Sequence, residues 1–484
     1  MIESDRKIIE RLKEIPDEYT RGIINKLAKI VINSDGNKIS IANTKFLIAT
    51  ILLNKDYKEE ALELFNSIRL EENKSIYENA QFFIGDILLE SDSLSDIEQA
   101  KSSFIFVKNK FPYEARNKID ICDLILDRSF EELGRNFFEI SNIVYKILSI
   151  LKIDINSIGK KQLHAERKLA HYTSTEVTNI LLNNPNTNSF RLNTIHNVND
   201  PSEGKLLEGC LKNGSKRRNS EVRSDSKYQT FIGCFTFNHD SLNQFRLYGK
   251  QDYKEASGIS LIFNKGFFKE NDHPDQISFI ATERSLDEKV SKEKISRQPV
   301  IRCVYIDPSS QFIHLAQRNQ ITFYREFSDR VEADIKWMKY KKHIDKKTNE
   351  FLICFECLKG VYQKAMNIVS ELDQSKASEI NILLDRILLP IKYLIKHIAF
   401  QEEQECRMIY ITSLDDPKVK MDFGKFLYVE YEPEVKSNLD KIYIAPAATQ
   451  YQPYLEKLLC GTNSLGKKIK IDLSNNPYRL PTSH

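Results

Sequence analysis

Three charged residues at alternate positions, Glu403, Glu405 and Arg407, are the group in this sequence best suited to chemistry. They open a segment rich in strand-forming residues, 406–411, and alternate residues of a strand project from one face. Neighbouring carboxylates raise each other's pKa, whereas a guanidinium beside them lowers it and fixes their orientation. The group fits a carboxylate that binds a sugar hydroxyl or acts as a base. A charged strand edge held by a salt bridge fits equally, and the sequence leaves both interpretations open.

A second group of polar residues lies at the ends of two predicted strands. His171, Tyr172 and Thr173 end the first strand, and the turn NDPSEG at 199–204 follows the second. Between the strands, the residues Thr-Ser-Thr-Glu at 173–176 cap a helix predicted at 174–182. Polar groups gathered at strand ends are typical of a site, although an ordinary strand–helix–strand unit fits these residues as well.

Other chemistries lack their sequence signatures. The nucleophile elbow GxSxG and the phosphate loops GxGxxG and GxxxxGK[ST] do not occur in the sequence. Cys354 and Cys357 form a lone CxxC in an apolar run, whereas a four-cysteine zinc site needs a second pair. No metal is therefore expected. A nucleophilic pair of Cys234 with His171 stays open, because the sequence does not show whether they meet.

Length and charge set wide limits on the class of protein. The chain has 484 residues, 41% of them hydrophobic and 29% charged, so two or three folded domains are expected. The net charge of +3 argues against a surface built throughout for nucleic acid. The basic loop at 212–227 leaves a local nucleic-acid contact open, and a solvated loop explains the same composition.

The N-terminus, the lengths of the apolar runs and the spacing of the cysteines indicate where the protein is located. The N-terminus is charged and has no apolar core of a signal peptide, and no run of about 18 apolar residues predicts a membrane helix. The eight cysteines are scattered, which is typical of reduced thiols. We expect a cytoplasmic protein with no membrane contact.

Residues 1–155 have the apolar spacing of successive helices, and two segments repeat each other. Ala61 and Phe65 recur as Ala100 and Phe104, 39 positions later. The small Ala lets paired helices approach, and the Phe four residues on covers the same face. The pattern resembles tetratricopeptide repeats, with a usual period of about 34. The resemblance implies an α-solenoid that binds a protein partner or trigger, or another copy of the chain. A plain helical bundle fits the same periodicity.

Residues 165–475 combine predicted strands with a helical block at about 326–399. The β-forming runs are 228–237, 258–263, 406–411, 425–431 and 441–444, and the segments 300–306 and 320–324 are extended or mixed. Strands interrupted by helices predict an α+β domain with a helical insertion. The fold class expected for the whole chain is α+β with two domains.

The ordered series of these segments resembles the DUF2971 family over residues 170–460. The series is His171-Tyr172-Thr173, Phe190-Arg-Leu-Asn193, Asn199-Asp-Pro-Ser-Glu203-Gly, Cys234-Phe-Thr-Phe, Phe245-x-x-Tyr248, Gly258-Ile-Ser-Leu-Ile-Phe263, Glu403-x-Glu405-x-Arg407 and Lys441-Ile-Tyr-Ile-Ala-Pro446. Two positions depart from the family: Phe245 stands where Trp is common, and Cys406 where an aromatic residue is usual. The family is similar to the ADP-ribosyltransferase fold, so the resemblance implies that fold here.

The resemblance also implies NAD as the substrate. His171 and Thr173 would hydrogen-bond a ribose of NAD. Tyr172 or Tyr248 would stack on the nicotinamide ring. These four residues form the implied NAD-binding part of the site.

The implied catalytic part lies on the late strand. Glu405 would hold the ribose 2′-hydroxyl and stabilise the oxocarbenium-like transition state as nicotinamide leaves, and Glu403 would orient the acceptor. Arg407 would steady the carboxylates or meet a phosphate. The residues implied at the rim are Asn199, Asp200 and Glu203.

These features predict an NAD-consuming enzyme that transfers ADP-ribose to a macromolecule or hydrolyses NAD, with helical repeats that sense a partner. By analogy, such a pairing suits a bacterial toxin or antiviral defence system. The alternatives are a non-catalytic scaffold that binds a nucleotide or protein, and a nucleic-acid binder that uses the 212–227 loop. The enzyme hypothesis requires His171 and Glu405 to face one cleft, on strands that lie side by side.

Overall fold

Two units of different secondary structure make up the chain. The computed structural model describes residues 22, 38–155, 166–183, 189–195, 203–212, 228–251, 253–269, 293–310, 312–461 and 465–478. The boundary between the units lies between Glu139 and Ile140. The described part of the first unit is helical, and the second contains a mixed β-sheet with helices. The expected α+β class with an N-terminal helical region is confirmed.

Successive helices build the N-terminal region. The described helices are α1 (Lys38–Asn54), α2 (Lys58–Asn66), α3 (Lys74–Leu88), α4 (Leu94–Val107), α5 (Pro112–Leu126) and α6 (Glu131–Leu151). From α1 to α5, each helix packs on the next along the chain. The residues that recur at an interval of 39 positions are all fully buried, as predicted: Ala61, Phe65, Ala100 and Phe104.

Aromatic contacts between neighbouring helices explain this burial. The Phe65 ring stacks on Phe83 with centroids 5.2 Å apart, and the Phe104 ring meets Phe82 edge-on at 5.5 Å. Gly85 makes room for Phe104, because a Cβ at position 85 would lie 2.8 Å from the ring. The Phe of one predicted repeat segment thus packs into the helix that precedes it.

Adding a methyl group at Gly85 is expected to destabilise the helical unit. The Gly85→Ala side chain overlaps Phe104, and overpacking of a filled interface typically costs about 1–3 kcal/mol. Gly360→Ala is the control, because its Cβ meets nothing within 4 Å; that change should stabilise its helix by about 0.5–1 kcal/mol. Urea unfolding followed by circular dichroism measures both. Equal effects of the two substitutions would contradict the proposed packing.

A mixed sheet forms the centre of the second unit. The described strands are β1 (Leu169–Thr173), β2 (Arg191–Thr194), β3 (Tyr228–Thr236), β4 (Ile259–Phe263), β5 (Lys294–Ile295), β6 (Ile301–Arg302), β7 (Val304–Ile306), β8 (Ile313–Leu315), β9 (Ile395–His397), β10 (Glu405–Ser413), β11 (Val419–Asp422), β12 (Phe426–Tyr431), β13 (Leu439–Ile444) and β14 (Lys470–Leu473). Within the described ranges, the main sheet has the order β11-β12-β2-β3-β1-β4-β13-β14, with β10 and β5 paired to β3 and β12 and with β6 paired to β10. A smaller sheet has the order β8-β7-β9.

The strand β3 lies between the two strands predicted to carry the site. Its full length pairs with β10, from Glu405↔Thr236 to Ser413↔Tyr228. Along its other edge, β1 pairs only at Ala170↔Thr236, and β2 pairs further along. The prediction that β1 and β10 lie side by side is therefore wrong. The pairing of β3 with β10 over nine residues cannot be predicted from either segment alone, because the two segments are far apart in the sequence.

Helices complete the second unit. They are α7 (Thr175–Asn183), α8 (Leu206–Leu211), α9 (Leu242–Leu247), α10 (Ile321–Glu326), α11 (Arg330–Ser370), α12 (Gln374–Lys392), α13 (Val435–Asn438) and α14 (Gln452–Leu458). The segment 320–324, predicted as extended or mixed, is mostly helical. The predicted helical block is also interrupted, because α12 ends at Lys392 and residues 395–397 pair in parallel with β7. No described helix is long and apolar enough to cross a membrane.

Aromatic side chains fill the core on one face of the main sheet. Phe235 on β3 stacks on Phe190 with centroids 5.6 Å apart, and meets Phe263 edge-on at 5.9 Å. Phe263 stacks in turn on Phe267 at 4.1 Å. All four rings are buried. This packing holds β3 and β4 in place and leaves the opposite face of β3 available for polar side chains.

Candidate active site

A cavity of about 220 Å³, here called the inner cavity, is lined by residues of β1, β3 and β10. Five charged side chains form its polar wall, and we call them the charged cluster: Glu203, Lys396, Glu403, Glu405 and Arg407. Their side chains are between 1% and 10% exposed. Three carboxylates face two cations, so the cluster has a formal excess of one negative charge. Burial of this excess makes the cavity attractive to a positive group.

Strand alternation brings Glu405 and Arg407 to the same face, as predicted. The register of β10 on β3 sets Glu405 opposite Thr236 and Arg407 opposite Cys234. All four side chains therefore project from one face of the sheet.

Glu403 reaches the cluster by a different route from the predicted one. A 3-10 helix ends at Glu403, and β10 begins at Glu405, so the two carboxylates do not share a strand. Gln404 between them has a left-handed backbone with φ 46° and ψ 48°. The amide of Gln404 is held from β8 and its following loop, since it accepts from Gln317 N at 2.7 Å and lies 3.1 Å from His314 Nε2. This turn lets both carboxylates face the same ammonium group.

Lys396 on β9 is that ammonium, and it joins two carboxylates. Its Nζ donates to Glu403 Oε2 at 2.5 Å and to Glu405 Oε2 at 2.6 Å, and lies 3.7 Å from Glu203 Oε1. Burial lowers the pKa of Lys396, but the charges of Glu405 and Glu403 outweigh it, so the pKa is raised. Lys396 therefore remains charged.

Arg407 binds Glu405 and the remaining carboxylate, Glu203, and all of its N–H donors are used. Its Nε donates to Glu405 Oε1 at 2.8 Å, and Nη2 donates to Glu405 Oε2 at 3.1 Å. Both terminal nitrogens also donate to Glu203, and Nη1 donates to the carbonyl of Tyr393 at 2.6 Å. Of the two roles predicted for Arg407, this geometry fits the steadying of carboxylates and not contact with a phosphate. Glu203, predicted at the rim, is instead inside the cluster, with its side chain 3% exposed.

Glu405 is ionised in this environment. Burial alone raises the pKa of Glu405, but the charges of Arg407 and Lys396, with hydrogen bonds from Arg407 and Cys234, lower it far below its usual range. An ionised carboxylate that stays in a buried cavity is equipped to stabilise positive charge without taking up a proton. The Cys234 thiol has a raised pKa, first through burial and then through the charge of Glu405. A thiolate nucleophile at Cys234 is therefore disfavoured.

The two predicted tyrosines have different positions. Tyr248 is half-buried and its hydroxyl donates to Glu403 Oε1 at 2.5 Å; burial and the charge of Glu403 raise its pKa. The Tyr172 hydroxyl donates to the carbonyl of Asn238 and accepts from Ser241 N, both at 3.0 Å. The Tyr172 ring packs edge-on against Phe245 at 4.9 Å. Both tyrosines line the inner cavity, and Tyr248 has the greater freedom to meet a ligand.

His171 also lines the inner cavity, at the point where β1 separates from β3. Alternation puts His171 on the face of Phe235 and not on the face of Glu405, and its ring contacts Phe190 at 4.9 Å. The carbonyl of Cys234 accepts from His171 Nδ1 at 2.8 Å, so Nδ1 carries the proton. Burial lowers the pKa of His171. The neutral ring then offers only Nε2, as an acceptor, to a ribose hydroxyl.

Thr173 is not among the residues that line the inner cavity. It lies at the end of β1, where its side chain is buried and its carbonyl is crowded by Gly249 and Gly258. A Cβ at Gly249, which has φ 71°, would lie 2.2 Å from that carbonyl. Thr173 is therefore a residue of the framework, and its predicted contact with NAD is not supported. The predicted rim residues Asn199 and Asp200 and the loop 213–227 lie outside the described residues.

Three half-buried histidines should make the second unit less stable in acid. Burial lowers the pKa of His171, His239 and His314 below the usual 6.5, most strongly for His239. The unfolded chain then takes up protons more readily, so the free energy of unfolding falls as pH drops below 6.5. The largest contribution is expected from His239, and no histidine can contribute more than about 1.4 kcal/mol between pH 7.5 and 5.5, the value of one pH unit below the usual pKa. Urea unfolding followed by the fluorescence of Trp337 measures this, and His239→Gln should flatten the dependence. An unchanged dependence in that variant would contradict the assignment.

Comparison of the chain with protein-family models, curated proteins and solved structures finds no match to any of them. The resemblance to DUF2971 therefore depends on the quoted residues alone. Within the described residues, no group of His, Cys, Asp or Glu side chains is arranged to hold a metal ion.

Lys396 and Phe400 line the inner cavity but were not among the site residues predicted from the sequence. Lys396 was hidden inside the predicted helical block, where the short Ile-Lys-His segment at 395–397 gives too few residues for a strand pattern. Phe400 follows on the 3-10 helix, and its ring lies 5.2 Å from Lys396 Nζ. The local signal for both was the Pro390 near the end of α12, which limits how far a helix extends.

Proposed function

We propose that this chain is an NAD-cleaving enzyme with an ADP-ribosyltransferase-like fold in its second unit. It transfers ADP-ribose to a macromolecule or, with water as the acceptor, hydrolyses NAD. The proposal combines the ordered DUF2971-like segments with the inner cavity, which residues of five of those segments line. It does not keep the predicted adjacency of β1 and β10, because β3 lies between them. His171 and Glu405 nevertheless line the same cavity. Its cytoplasmic location is part of the same proposal.

The ionised Glu405 at the wall of the inner cavity is the observation that carries the proposal. It belongs to a cluster with one excess negative charge, and it is buried beside the aromatic rings of Tyr248 and Phe400. The nicotinamide ring of NAD is flat and positively charged, which matches an aromatic cavity of negative charge. A buried carboxylate also stabilises positive charge more strongly than an exposed one.

The reaction places positive charge on the ribose. The bond between ribose C1′ and the nicotinamide nitrogen breaks, and its electron pair leaves with the nitrogen, so neutral nicotinamide departs. C1′ then bonds to an oxygen of water or to a nucleophile of the acceptor, which releases a proton. Glu405 stabilises the oxocarbenium-like transition state electrostatically. Glu403, linked to Tyr248, is positioned to orient the acceptor.

The helical unit is proposed to recognise a partner. The Ala and Phe residues that recur in its sequence are all buried, and this burial supports a tetratricopeptide-like arrangement. Such repeats bind peptides, proteins or further copies of the same chain. A partner bound there would act as the trigger, as expected for a toxin or defence protein.

Incubation with NAD labelled in both the nicotinamide and the adenosine tests the proposal. The expected result is release of labelled nicotinamide. The adenosine label should then appear in free ADP-ribose, formed by hydrolysis, or on an acceptor protein. The reaction should be run with the full chain and with bacterial lysate as the source of acceptor and trigger. Absence of both release and transfer under all these conditions would overturn the enzyme proposal.

One observation favours a second candidate, a non-catalytic nucleotide-binding protein. Every N–H of Arg407 is taken by groups of the protein itself, so the cluster is complete without a ligand. A buried salt-bridge network with only a structural role would show the same pairing. Calorimetric binding of NAD without any nicotinamide release would identify this second function.

A further inference from the structure

The helix α11 presents apolar side chains on two opposite faces of its first turns. One face packs with Phe323 of α10 in a buried cluster, through three residues: Ala333, Tyr340 and Ile344. The opposite face carries a second row, which we call the outer stripe: Val331, Ile335 and Met338. At about 100° per residue, the two rows lie half a turn apart. A surface helix normally has polar residues on the face away from its core, so the outer stripe needs an explanation.

The outer stripe is open to solvent. Val331 is 66% exposed, Ile335 47% and Met338 70%. Their spacing of four and three residues aligns them in one row along the helix, whereas the exposed apolar residues of a monomer are usually scattered singly. Tyr324 of α10 lies beside the row, because its hydroxyl donates to Asp334, and it is 37% exposed. The outer stripe therefore has the composition of one half of a helix–helix interface.

Charged side chains on the two flanks of the outer stripe differ in sign along the helix. Glu332 and Asp334 lie near its start, and Lys339 and Lys341 lie seven residues further on. Among the residues that the structure describes, Glu332 and Lys339 have no charged partner, and Lys341 donates to Asp345 at 2.7 Å. The other cations of these turns lie further round the helix: Arg330 and Lys336. An acidic end followed by a basic end matches a second copy of the helix that runs in the opposite direction.

An antiparallel copy of α11 makes the apolar row complementary to itself. In the register where Ile335 of each chain meets Met338 of the other, Val331 meets Lys342, whose aliphatic stem covers apolar surface while its ammonium stays in water. A parallel copy in register would instead set Lys342 against Lys342 of the other chain. The antiparallel direction is therefore favoured.

The same register pairs the flanking charges with opposite signs. Glu332 lies beside Lys339 of the other chain on one flank, and Asp334 lies beside Lys341 of the other chain on the second flank. Because a two-fold axis relates the copies, each pair occurs twice. Flanking pairs of this kind determine partner choice and orientation in paired helices.

We propose that the outer stripe is the contact between two copies of this chain, with their α11 helices antiparallel across a two-fold axis. This surface uses no residue that lines the inner cavity, so the proposal is independent of NAD cleavage. A few turns of one helix from each chain form a small interface, and small interfaces are usually weak. The dimer should therefore depend on protein concentration.

Sedimentation velocity of the full chain tests the proposal, at concentrations up to about 100 µM because the interface is small. The mass should rise to that of two chains. Ile335→Glu should raise the dissociation constant at least about tenfold, because it sets a carboxylate against Met338. Ile353→Glu is the matched control, the same change at a residue of α11 that is 65% exposed. In this register, the partner's first helical residue lies opposite His343, and Ile353 lies about 15 Å beyond it.

Charge reversal tests the direction of the helices. Glu332→Lys and Lys339→Glu should each weaken self-association about tenfold, because each creates two like-charged pairs across the axis. An equimolar mixture of the two variants should associate as the wild type does, since both pairs then have opposite signs. Circular dichroism of each variant shows that the chain is folded.

Each outcome decides the proposal. A wild-type chain that stays monomeric over this range overturns it and leaves the outer stripe to a segment of another protein. A dimer that Ile335→Glu leaves unchanged also overturns it, because the contact then lies on another surface. Loss of the dimer in Ile335→Glu without recovery in the mixture of charge variants overturns the antiparallel arrangement. Loss in Ile335→Glu, none in Ile353→Glu and recovery in the mixture support the proposal.

Discussion

Glu405→Gln is expected to lower the rate of nicotinamide release from NAD by about 10²- to 10³-fold, the usual effect of removing one preorganised electrostatic group. Gln keeps the size of the side chain but removes the negative charge that stabilises positive charge on the ribose. Two carboxylates and two cations then remain in the charged cluster, so the cavity becomes formally neutral. The loss should appear in kcat, because the transition state carries more positive charge on the ribose than the ground state does.

A neighbouring glutamate provides the control for this prediction. Glu402→Gln is the same chemical change three positions away on an exposed side chain, and it should alter kcat less than twofold. Thermal unfolding of both variants, followed by Trp337 fluorescence, shows whether the second unit is folded. A folded Glu405→Gln variant with wild-type kcat would exclude Glu405 from catalysis.

Arg407→Leu is expected to lower the free energy of unfolding of the second unit by about 3–5 kcal/mol, as is typical when one partner of a buried ion pair is removed. The substitution leaves the carboxylates of Glu203 and Glu405 buried with Lys396 as their common cation. It also removes the donor to the Tyr393 carbonyl. Urea unfolding followed by Trp337 fluorescence measures the loss, and the exposed Arg325→Leu should change stability by no more than about 0.5 kcal/mol.

The loss of unfolding free energy caused by Arg407→Leu should be smaller in acid. The direction of this change distinguishes a lost ion pair from a simple packing defect. In the wild-type chain, Glu405 has a depressed pKa, so its contribution is present at neutral pH and lost as pH falls through that low value. Without Arg407, burial raises the pKa of Glu405, and the folded variant takes up a proton more readily than its unfolded form. The difference between variant and wild type should therefore be smaller at pH 4.5 than at pH 7. A constant difference across this range would indicate lost packing instead.

Local sequence patterns predicted the strands of the site well. Aromatic and β-branched residues marked β3, β4, β10, β12 and β13, and these strands lie within a few residues of their predicted bounds. The pairing of Glu405 with Arg407 on one face followed from alternation along a single strand. The repeat positions Ala61 and Phe104 were likewise predictable, because helical spacing determines which residues are buried.

What the sequence did not predict depends on contacts between distant segments. The His171 side chain lies on the face opposite Glu405, and it reaches the cavity because β1 separates from β3 after one residue pair. Lys396 is in the cluster because residues 395–397 pair with β7, about 90 positions earlier. Glu403 is there because Gln404 adopts a left-handed turn that its own residue type does not favour. Pro390 limits how far α12 extends, but no local sequence signal marks the pairing of residues 395–397 or the other two arrangements.

The ion pair between Arg407 and Glu203 closes a loop of 204 residues, and this has a consequence for protein synthesis. Closing so long a loop is entropically costly, and it requires β10, which is made after more than four-fifths of the chain. A ribosome-bound chain therefore holds Glu203 long before it holds any of the cations that neutralise it. The charged cluster, and with it the polar wall of the inner cavity, can therefore form only after β10 has been synthesised.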